Sequence, residues 1–443
     1  MPSDLDRRHL LRLTAGTAVA SAALAGSARA AVAPAPATAA PGRPAARYST
    51  ADYPVSMNLF CFNQNIQSWI KNRANGAPQL STMAAVDWAA QAGFDAVDIT
   101  AYYIPGYETH TMPSRPAEEI TAFATGLRER CERLGLPITG TGVFNDFADP
   151  SRRELDILRT RFWIDVARAM GAPAIRVFSG VVPADLDAAG GWETVTRARI
   201  VPALREIAEY AAPKGVRILL QNHGDMTATA EQTIRTIEWT GHENVSIIND
   251  TGYFRPFRAP TGDGYDWYRD IAACLPYSDS IQVKRLPAGA DSAGPPMDYE
   301  RLFTALRLSG WEHAVPVERL WAKDAPDNPS KQPTPPFDQV AALLADVRAG
   351  LAATKQSPFR ALREHLRDLH RERAVGLRSW LRLSGLLKTA ELDYLQGSPA
   401  DARQALDQAL GLLAAATDVV PAARESLVRE VGALRTVWGD VYG

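Results

Sequence analysis

Cysteine, net charge and long apolar runs are all scarce in this 443-residue chain. The three cysteines, Cys61, Cys131 and Cys274, are odd in number and far apart, so we expect buried thiols rather than a disulfide framework or a thiolate metal site. A formal net charge of −2 excludes a general affinity for nucleic acid or for an anionic membrane. Beyond the N-terminal segment, no apolar run is long enough to predict a membrane span.

The N-terminal segment is typical of an export signal. Residues 1–30 contain the pair Arg7 and Arg8, then a weakly apolar run, then the small-residue cleavage pattern Ala28–Ala30. This order predicts a twin-arginine signal, and the alternative is a frayed basic terminus. Residues 31–52 are a Pro/Ala-rich linker that cannot bury a core. We therefore expect a protein that is exported, to the cell envelope or outside the cell.

Short apolar strands alternate with longer amphipathic helices between residues 53 and 355. The predicted strands begin near Val55, Phe94, Leu136, Pro173, Val216, Val245, Asp279 and His313. Eight repeats of this unit predict an α/β fold, a (β/α)8 TIM barrel. A doubly wound open sheet has the same alternation, but no glycine-rich phosphate-binding loop follows the first strand.

Residues 356–443 predict a C-terminal α-helical extension. The pattern indicates one long helix at Phe359–Gln396 and two more, Ala400–Ala416 and Ala422–Val437, each after a proline. Its arginine-rich face is a candidate for binding a polyanion. The interspersed acidic residues favour a solvated surface or a contact between subunits of a homo-oligomer.

Two predicted strands end abruptly in polar residues. They are VRILLQNHGD (Val216–Asp225) and VSIINDTGYF (Val245–Phe254). Because residues two apart on a strand face the same way, Gln221 and His223 share a side, and Asp250 can reach them from the neighbouring strand. The carboxyl ends of these strands therefore predict one shared functional site.

Motifs at the predicted strand ends resemble the sugar phosphate isomerase/epimerase family, the xylose-isomerase-like TIM barrels. They are VDITAYYIPGY (Val97–Tyr107), ITGTGVFNDFADP (Ile138–Pro150), IRVFSG (Ile175–Gly180), LLQNHGD, NDTGYF, IQVK (Ile281–Lys284) and PVERL (Pro316–Leu320). The resemblance covers roughly residues 55–353 and implies chemistry on a small-molecule sugar or keto-sugar. It does not identify the substrate, because the group contains ketose 3-epimerases, inosose dehydratases, enzymes that cleave 3-keto-glycosides, and apurinic endonucleases.

The resemblance also implies one divalent metal ion held at the ends of strands five to eight. By motif position, its ligands are Gln221, Asp250, Gln282 and Glu318. Oxygen donors favour Mn²⁺, with Mg²⁺, Co²⁺ or Zn²⁺ as alternatives. The two glutamines have a second interpretation, in which they merely satisfy backbone groups. Many family members have Glu where Gln221 stands, so this shell has two negative charges and lacks one proton-transfer group.

Candidate catalytic and substrate-binding residues surround this centre. Glu318 is the expected acid–base group, and His223 is either a proton acceptor or a partner that orients the ligands. Lys284 is expected to stabilise an enediolate oxygen. The candidate sugar-binding residues are Tyr102, Tyr107, Glu108, His110, Asn145 and Arg176.

Three functions follow from the resemblance. The first is a metal-dependent enzyme that enolises a keto-sugar next to its carbonyl, with elimination from a 3-keto-glycoside or 3-epimerisation of a free ketose. We expect elimination to dominate because Gln221 cannot act as a base. The second, an endonuclease, needs a histidine-rich three-zinc cluster in this superfamily, which seven scattered histidines cannot supply. The third is a non-catalytic sugar-binding barrel.

Overall fold

A computed structural model of the chain describes residues 48–71, 76–254, 266–285, 296–322 and 325–442. The predicted export signal and most of the linker lie outside these ranges. Cys61, Cys131 and Cys274 are buried free thiols, as expected. Within the described ranges, no helix combines the length and the apolar character needed to cross a membrane.

Eight parallel strands close into a barrel, in which each strand pairs with the next and the last pairs with the first. They are β1 (Val55–Asn58), β2 (Ala96–Asp98), β3 (Ile138–Gly142), β4 (Ala174–Phe178), β5 (Arg217–Gln221), β6 (Val245–Asp250), β7 (Ser278–Lys284) and β8 (Val315–Glu318). Each strand begins close to its predicted start. The α/β class and the (β/α)8 barrel are therefore confirmed.

Helices surround the barrel on the outside. They are α1 (Asn63–Ile70), α2 (Thr82–Ala92), α3 (Ala117–Leu134), α4 (Arg153–Met170), α5 (Gly191–Val195), α6 (Val201–Ala211), α7 (Ala230–Thr240), α8 (Trp267–Cys274), α9 (Tyr299–Leu308) and α10 (Phe337–Ala353). A glycine with positive φ ends α2 and α4, at Gly93 (87°) and Gly171 (76°), because the left-handed conformation closes a helix without steric cost only for glycine.

The C-terminal extension contains α11 (Pro358–Arg371), α12 (Leu377–Leu395), α13 (Pro399–Ala415) and α14 (Pro421–Tyr442). The single long helix predicted at Phe359–Gln396 was wrong. Arg373 adopts a left-handed φ of 61°, and Val375 then forms an antiparallel bridge with Val419. The Gly376 N–H also donates to the Asp418 carbonyl (2.7 Å), so pairing with a distant segment overrides helix propensity at this point.

The extension packs on the outer helix α9. The Tyr394 and Tyr442 hydroxyls both donate to the Leu308 carbonyl (2.9 Å each), and the Arg301 guanidinium pairs with Asp440 (2.8 Å). Trp438 is fully buried beside Tyr394. Among the described residues, those that line the cavity at the barrel mouth all come from the barrel and its loops rather than from the extension.

Candidate active site at the barrel mouth

The strand register places the predicted site residues side by side. Asp250 on β6 is level with Gln282 on β7, and Lys284 on β7 is level with Glu318 on β8. All these positions are at the carboxyl ends of their strands, where TIM barrels keep their active sites. Sequence periodicity and parallel pairing are therefore enough to bring the four predicted metal ligands together.

A lysine lies between the two carboxylates. The Lys284 Nζ atom is 2.6 Å from Glu318 Oε1 and 3.1 Å from Asp250 Oδ2. All three side chains are almost completely buried, with 3%, 8% and 0% of their surface exposed, respectively. Since charged groups at this depth require compensation, the ammonium offsets one of the two negative charges, and N–H donors to the carboxylate oxygens compensate the rest. We call Lys284, Asp250, Glu318 and the amides of Gln221 and Gln282 the mouth cluster.

The two amides of the mouth cluster present nitrogen, not oxygen, to the carboxylates. The Gln221 Nε2 atom donates to Asp250 Oδ2 (2.5 Å), and the Gln282 Nε2 atom donates to Glu318 Oε2. The second Asp250 oxygen accepts from the Gly252 N–H (2.9 Å). Each carboxylate oxygen therefore accepts a hydrogen bond from a protein N–H. The Gln221 Oε1 atom, by contrast, is buried and has no hydrogen-bond partner.

Backbone contacts hold the strand ends in place. The Asn222 side chain donates to the Asp250 carbonyl (2.8 Å) and accepts from the Asp250 N–H (2.7 Å). The Thr251 hydroxyl donates to the Gln282 carbonyl (3.2 Å) and accepts from the Lys284 N–H (2.9 Å). These reciprocal bonds fix the relative positions of β5, β6 and β7, so the mouth cluster is preorganised.

The mouth cluster keeps Lys284 charged. Burial works against the ammonium, but the carboxylates of Asp250 and Glu318 outweigh this penalty and raise the pKa of Lys284 above its ordinary value. Burial also raises the pKa of Asp250 and of Glu318, and the Lys284 charge opposes both shifts. An ammonium is therefore the resident cation between these carboxylates.

The residues present, in this arrangement, do not fit a divalent metal ion. Both glutamine oxygens would have to turn inward, and the ion would have to take carboxylate oxygens that already bind Lys284. An ion on those oxygens would lie within roughly 5 Å of the ammonium. At an effective dielectric constant of about 20, this repulsion costs on the order of 7 kcal/mol. Within the described residues, no group of three His, Cys, Asp or Glu side chains can hold a metal ion.

Aromatic rings form the wall above the mouth cluster. The His223 imidazole stacks on the Tyr253 ring (centroids 4.0 Å apart, 27° between planes) and packs against Phe178 at 4.6 Å. The Lys284 ammonium lies 5.2 Å from the centre of the same Tyr253 ring. This stack holds His223 in one orientation over the cluster.

Arg176 lies across the lumen on β4. Its guanidinium donates to the Val143 carbonyl (3.1 Å) and the Tyr102 hydroxyl (3.2 Å), and it covers the Phe178 ring at 4.3 Å. Gly142 on β3 leaves room for this guanidinium, because a Cβ there would approach Arg176 Nε to 2.6 Å and the arginine would have to move. Two cations, Arg176 and Lys284, therefore line the mouth.

A cavity of about 320 Å³ opens at this point. It is lined by Phe60, Thr100, Tyr102, Phe144, Asn145, Arg176, Phe178, Gly180, Val181, Gln221, His223, Asp225, Tyr253, Gln282, Lys284 and Glu318. The predicted catalytic residues all line it, and the buried Asp250 lies directly behind Gln221 and Lys284. Both polar atoms of the Asn145 side chain already form hydrogen bonds within the protein. The side chain donates to the Phe178 carbonyl (2.5 Å) and accepts from the Phe178 N–H (3.0 Å).

Three predicted sugar-binding residues, Tyr107, Glu108 and His110, do not line this cavity. The Tyr107 hydroxyl accepts from the Phe144 N–H (2.8 Å), and the exposed His110 contacts Arg152 (2.9 Å). Glu108 is exposed and, with Tyr107, borders a separate depression. The structure does not bring these residues to the mouth, because their loop turns away from it, which local sequence pattern does not reveal. Their role in sugar binding stays a prediction.

The prediction also missed Phe178 and Asp225. Phe178 ends the IRVFSG strand with an inward side chain, and this alternation was the available signal. Asp225 follows His223 in the loop after β5. Burial raises the pKa of Asp225 to about 6, and the charge of Asp146 adds to the increase. The cavity thus contains a second group that can exchange a proton near neutral pH.

The fold agrees with one family model, whereas the similar solved structures are distant. A search of curated proteins finds no match. Among solved structures, a 3-keto-D-glucoside 4-epimerase from E. coli is 14% identical, covers 67% of this chain and 100% of its own, and has a TM-score of 0.47. A D-psicose 3-epimerase from Clostridium cellulolyticum H10, solved with D-tagatose, is 14% identical, covers 67% and 99%, and has a TM-score of 0.49. The family model described as xylose isomerase-like TIM barrel matches residues 86–344, more than half of the chain, and this protein therefore belongs to that family.

Proposed function

We propose that this protein is an enzyme that acts on a neutral sugar or keto-sugar by removing a proton from the carbon next to a carbonyl. The observation that carries the proposal is a charged Lys284 at the floor of a cavity whose wall holds His223. A fixed cation below a substrate oxygen and an imidazole beside it are the two groups that such a proton transfer requires.

Each group has a distinct task in the reaction. His223 accepts the proton from the carbon, and the C–H electron pair forms a carbon–carbon double bond while the carbonyl oxygen becomes an enolate. Lys284 and Arg176 stabilise that oxygen. The two carboxylates account for two of the three ammonium N–H donors, and the third serves the substrate. Nothing in this sequence of events requires Glu318 to leave its ion pair.

Elimination is favoured over epimerisation. Epimerisation needs acid–base groups on both faces of one carbon, and Gln221 supplies none on its side. In elimination, the enolate re-forms its carbonyl and expels a neighbouring alkoxide, which takes a proton from a general acid. Asp225, with its raised pKa, lines the same cavity and is a candidate for that acid. A 3-keto-glycoside is therefore the substrate class that we propose first, with a free ketose second.

A neutral substrate suits both the cavity and the predicted export. Phe144, an apolar ring that cannot bind an anionic group, lines the cavity. The predicted twin-arginine signal supports the same conclusion, because phosphorylated sugars are intracellular intermediates. On the basis of that signal, we propose that the protein is exported to the cell envelope or outside the cell.

The test is deuterium exchange followed by NMR. The protein is incubated in deuterated water with a free ketose and, separately, with a 3-keto-glycoside. We expect aglycone release from the glycoside and slower deuterium incorporation into the ketose. Inversion at C3 of the ketose without any aglycone release would instead support the epimerase alternative.

A non-catalytic sugar-binding barrel is the second candidate. Gln221 and the ion-paired carboxylates favour it, because a scaffold that has lost acid–base groups can retain binding. In the same experiment, sugar binding detected by calorimetry without exchange or release would support this candidate over the enzyme.

A further inference from the structure

We propose that the Lys284 ammonium takes the place of the divalent metal ion in this barrel, and that the site polarises a substrate oxygen without a metal. The polarising role rests on the proposed function, whereas the exclusion of the metal ion does not. The metal ion that the resemblance implied is therefore replaced by a cation that belongs to the chain itself.

The position of the ammonium is the first argument. Lys284 Nζ contacts one oxygen of each carboxylate, at 2.6 and 3.1 Å, so it bridges Asp250 and Glu318 as a metal ion would. The backbone holds the lysine in this position, because its N–H donates to Thr251 and its strand is in register with Glu318.

The amides provide the second argument. A metal shell needs both glutamine oxygens to point inward, whereas here both nitrogens donate to the carboxylates. The Gln221 oxygen is left buried without a partner. A carboxylate at position 221 would instead add a third negative charge beside Asp250. The amide and the lysine are therefore complementary: Gln221 adds no ligand charge, and Lys284 supplies a cation to the two carboxylates.

Fixed charge has a functional consequence. A metal ion can be lost or exchanged, whereas a lysine is retained through export and under metal limitation. The ammonium carries half the charge of a divalent ion, so it polarises an oxygen less strongly, and Arg176 across the cavity adds a second positive charge. The substrate oxygen is expected to bind between these two side chains.

The test is calorimetric titration of EDTA-treated full-length protein with MnCl2. We expect the wild-type protein to show no saturable binding. The double variant Gln221→Glu/Lys284→Met restores a third carboxylate and removes the ammonium. It should gain at least about a hundredfold in Mn²⁺ affinity and a Mn²⁺-dependent rise in Tm. Lys214→Met is the matched control, because this lysine pairs with Asp165 ahead of β5 and should leave Mn²⁺ binding unchanged.

Saturable one-to-one binding of Mn²⁺ to the wild-type protein would overturn the inference, as would a folded double variant that gains no affinity. If circular dichroism shows that the double variant does not fold, the wild-type titration alone decides.

Deuterium exchange separates the two proposals. Exchange by wild-type protein in EDTA supports both, and exchange only after Mn²⁺ addition overturns this inference but keeps the proposed function. A complete lack of exchange removes the proposed function, while the titration still decides whether metal binds.

Discussion

Two buried groups of charged side chains in this barrel look alike but differ in what they face. The mouth cluster has one cation and two carboxylates and borders the cavity. The second group, which we call the α4 cluster, consists of Arg152, Asp156 and Arg159, with two cations and one carboxylate. Asp156 is fully buried and Arg159 nearly so. Burial of an ion pair therefore does not by itself indicate a functional site.

The partners of the α4 cluster show its structural role. The second Asp156 oxygen accepts from the Asp146 N–H (2.8 Å), and Arg159 donates to the Glu108 carbonyl. Arg152 contacts His110. These bonds attach the loops after β2 and β3 to α4, so the charges are used for loop attachment. In the mouth cluster, the charges instead face a space that a ligand can enter.

The largest expected effect comes from Lys284→Met, which breaks the mouth cluster. It leaves two buried carboxylates without a cation, so we expect the free energy of unfolding to fall by about 3–5 kcal/mol. Turnover should fall by at least about 10²–10³, the usual cost of losing a donor to a developing oxyanion. Denaturant unfolding and the deuterium-exchange assay measure the two losses separately. Full activity in a folded Lys284→Met protein would contradict the role given to this lysine.

Arg159→Met should break the α4 cluster with a similar loss of stability but little loss of function. We expect about 3–5 kcal/mol less stability, because Asp156 loses its closest cation. Turnover per folded molecule should stay within about tenfold of wild type, since the α4 cluster does not border the cavity. A loss of activity as large as that in Lys284→Met, at equal folded fraction, would end the distinction between the two clusters.

Asp98→Asn tests a buried carboxyl whose partner is the neutral Asn58 amide (3.0 Å). Burial raises the pKa of Asp98 from 3.8 to about 6, although Arg176 opposes the shift. Because the folded-state pKa is raised, the protonated form is favoured on folding, and this stability is lost as pH rises through about 6. The free energy of unfolding of the Asn variant, relative to that of wild type, should therefore increase between about pH 4 and pH 6. This increase should reach about 3 kcal/mol above that pH range. Urea unfolding across this range measures the difference, and a constant difference would refute the shift.

The smallest effect is expected for Lys214→Met, which removes a pair at the surface. The lysine and Asp165 are 23% and 50% exposed, so solvent screens their 2.5 Å contact. We expect a change of no more than about 1 kcal/mol in the free energy of unfolding, weaker still at high salt. A loss comparable to that in Arg159→Met would show that burial is not what separates these ion pairs.

Sequence pattern accounts for the barrel and for the convergence of its strand ends. Alternation with period two places Gln221, Asp250, Gln282 and Glu318 on inward faces, and parallel register then brings Asp250 level with Gln282 and the other two within one pleat of them. Their role as metal ligands stays a prediction of the resemblance. Alternation also places Lys284 in the lumen, but it does not determine the position of the ammonium at the end of its four-carbon side chain. That the ammonium bridges both carboxylates depends on three strands at once.

Loop and helix boundaries were harder to predict because distant partners set them. The loop that carries Glu108 and His110 is held by Arg152 and Arg159 of the α4 cluster, more than forty residues away. The break between α11 and α12 depends on the bridge from Val375 to Val419. Neither pairing leaves a periodic signal in the sequence.

The most direct measurement for the central claim is the anomalous diffraction of crystals soaked in excess MnCl2. We predict no manganese peak between Asp250 and Glu318 and a Lys284 side chain that still contacts both carboxylates. A manganese peak within ligand distance of both, with the Lys284 ammonium displaced and the Gln221 oxygen turned inward, would contradict the account.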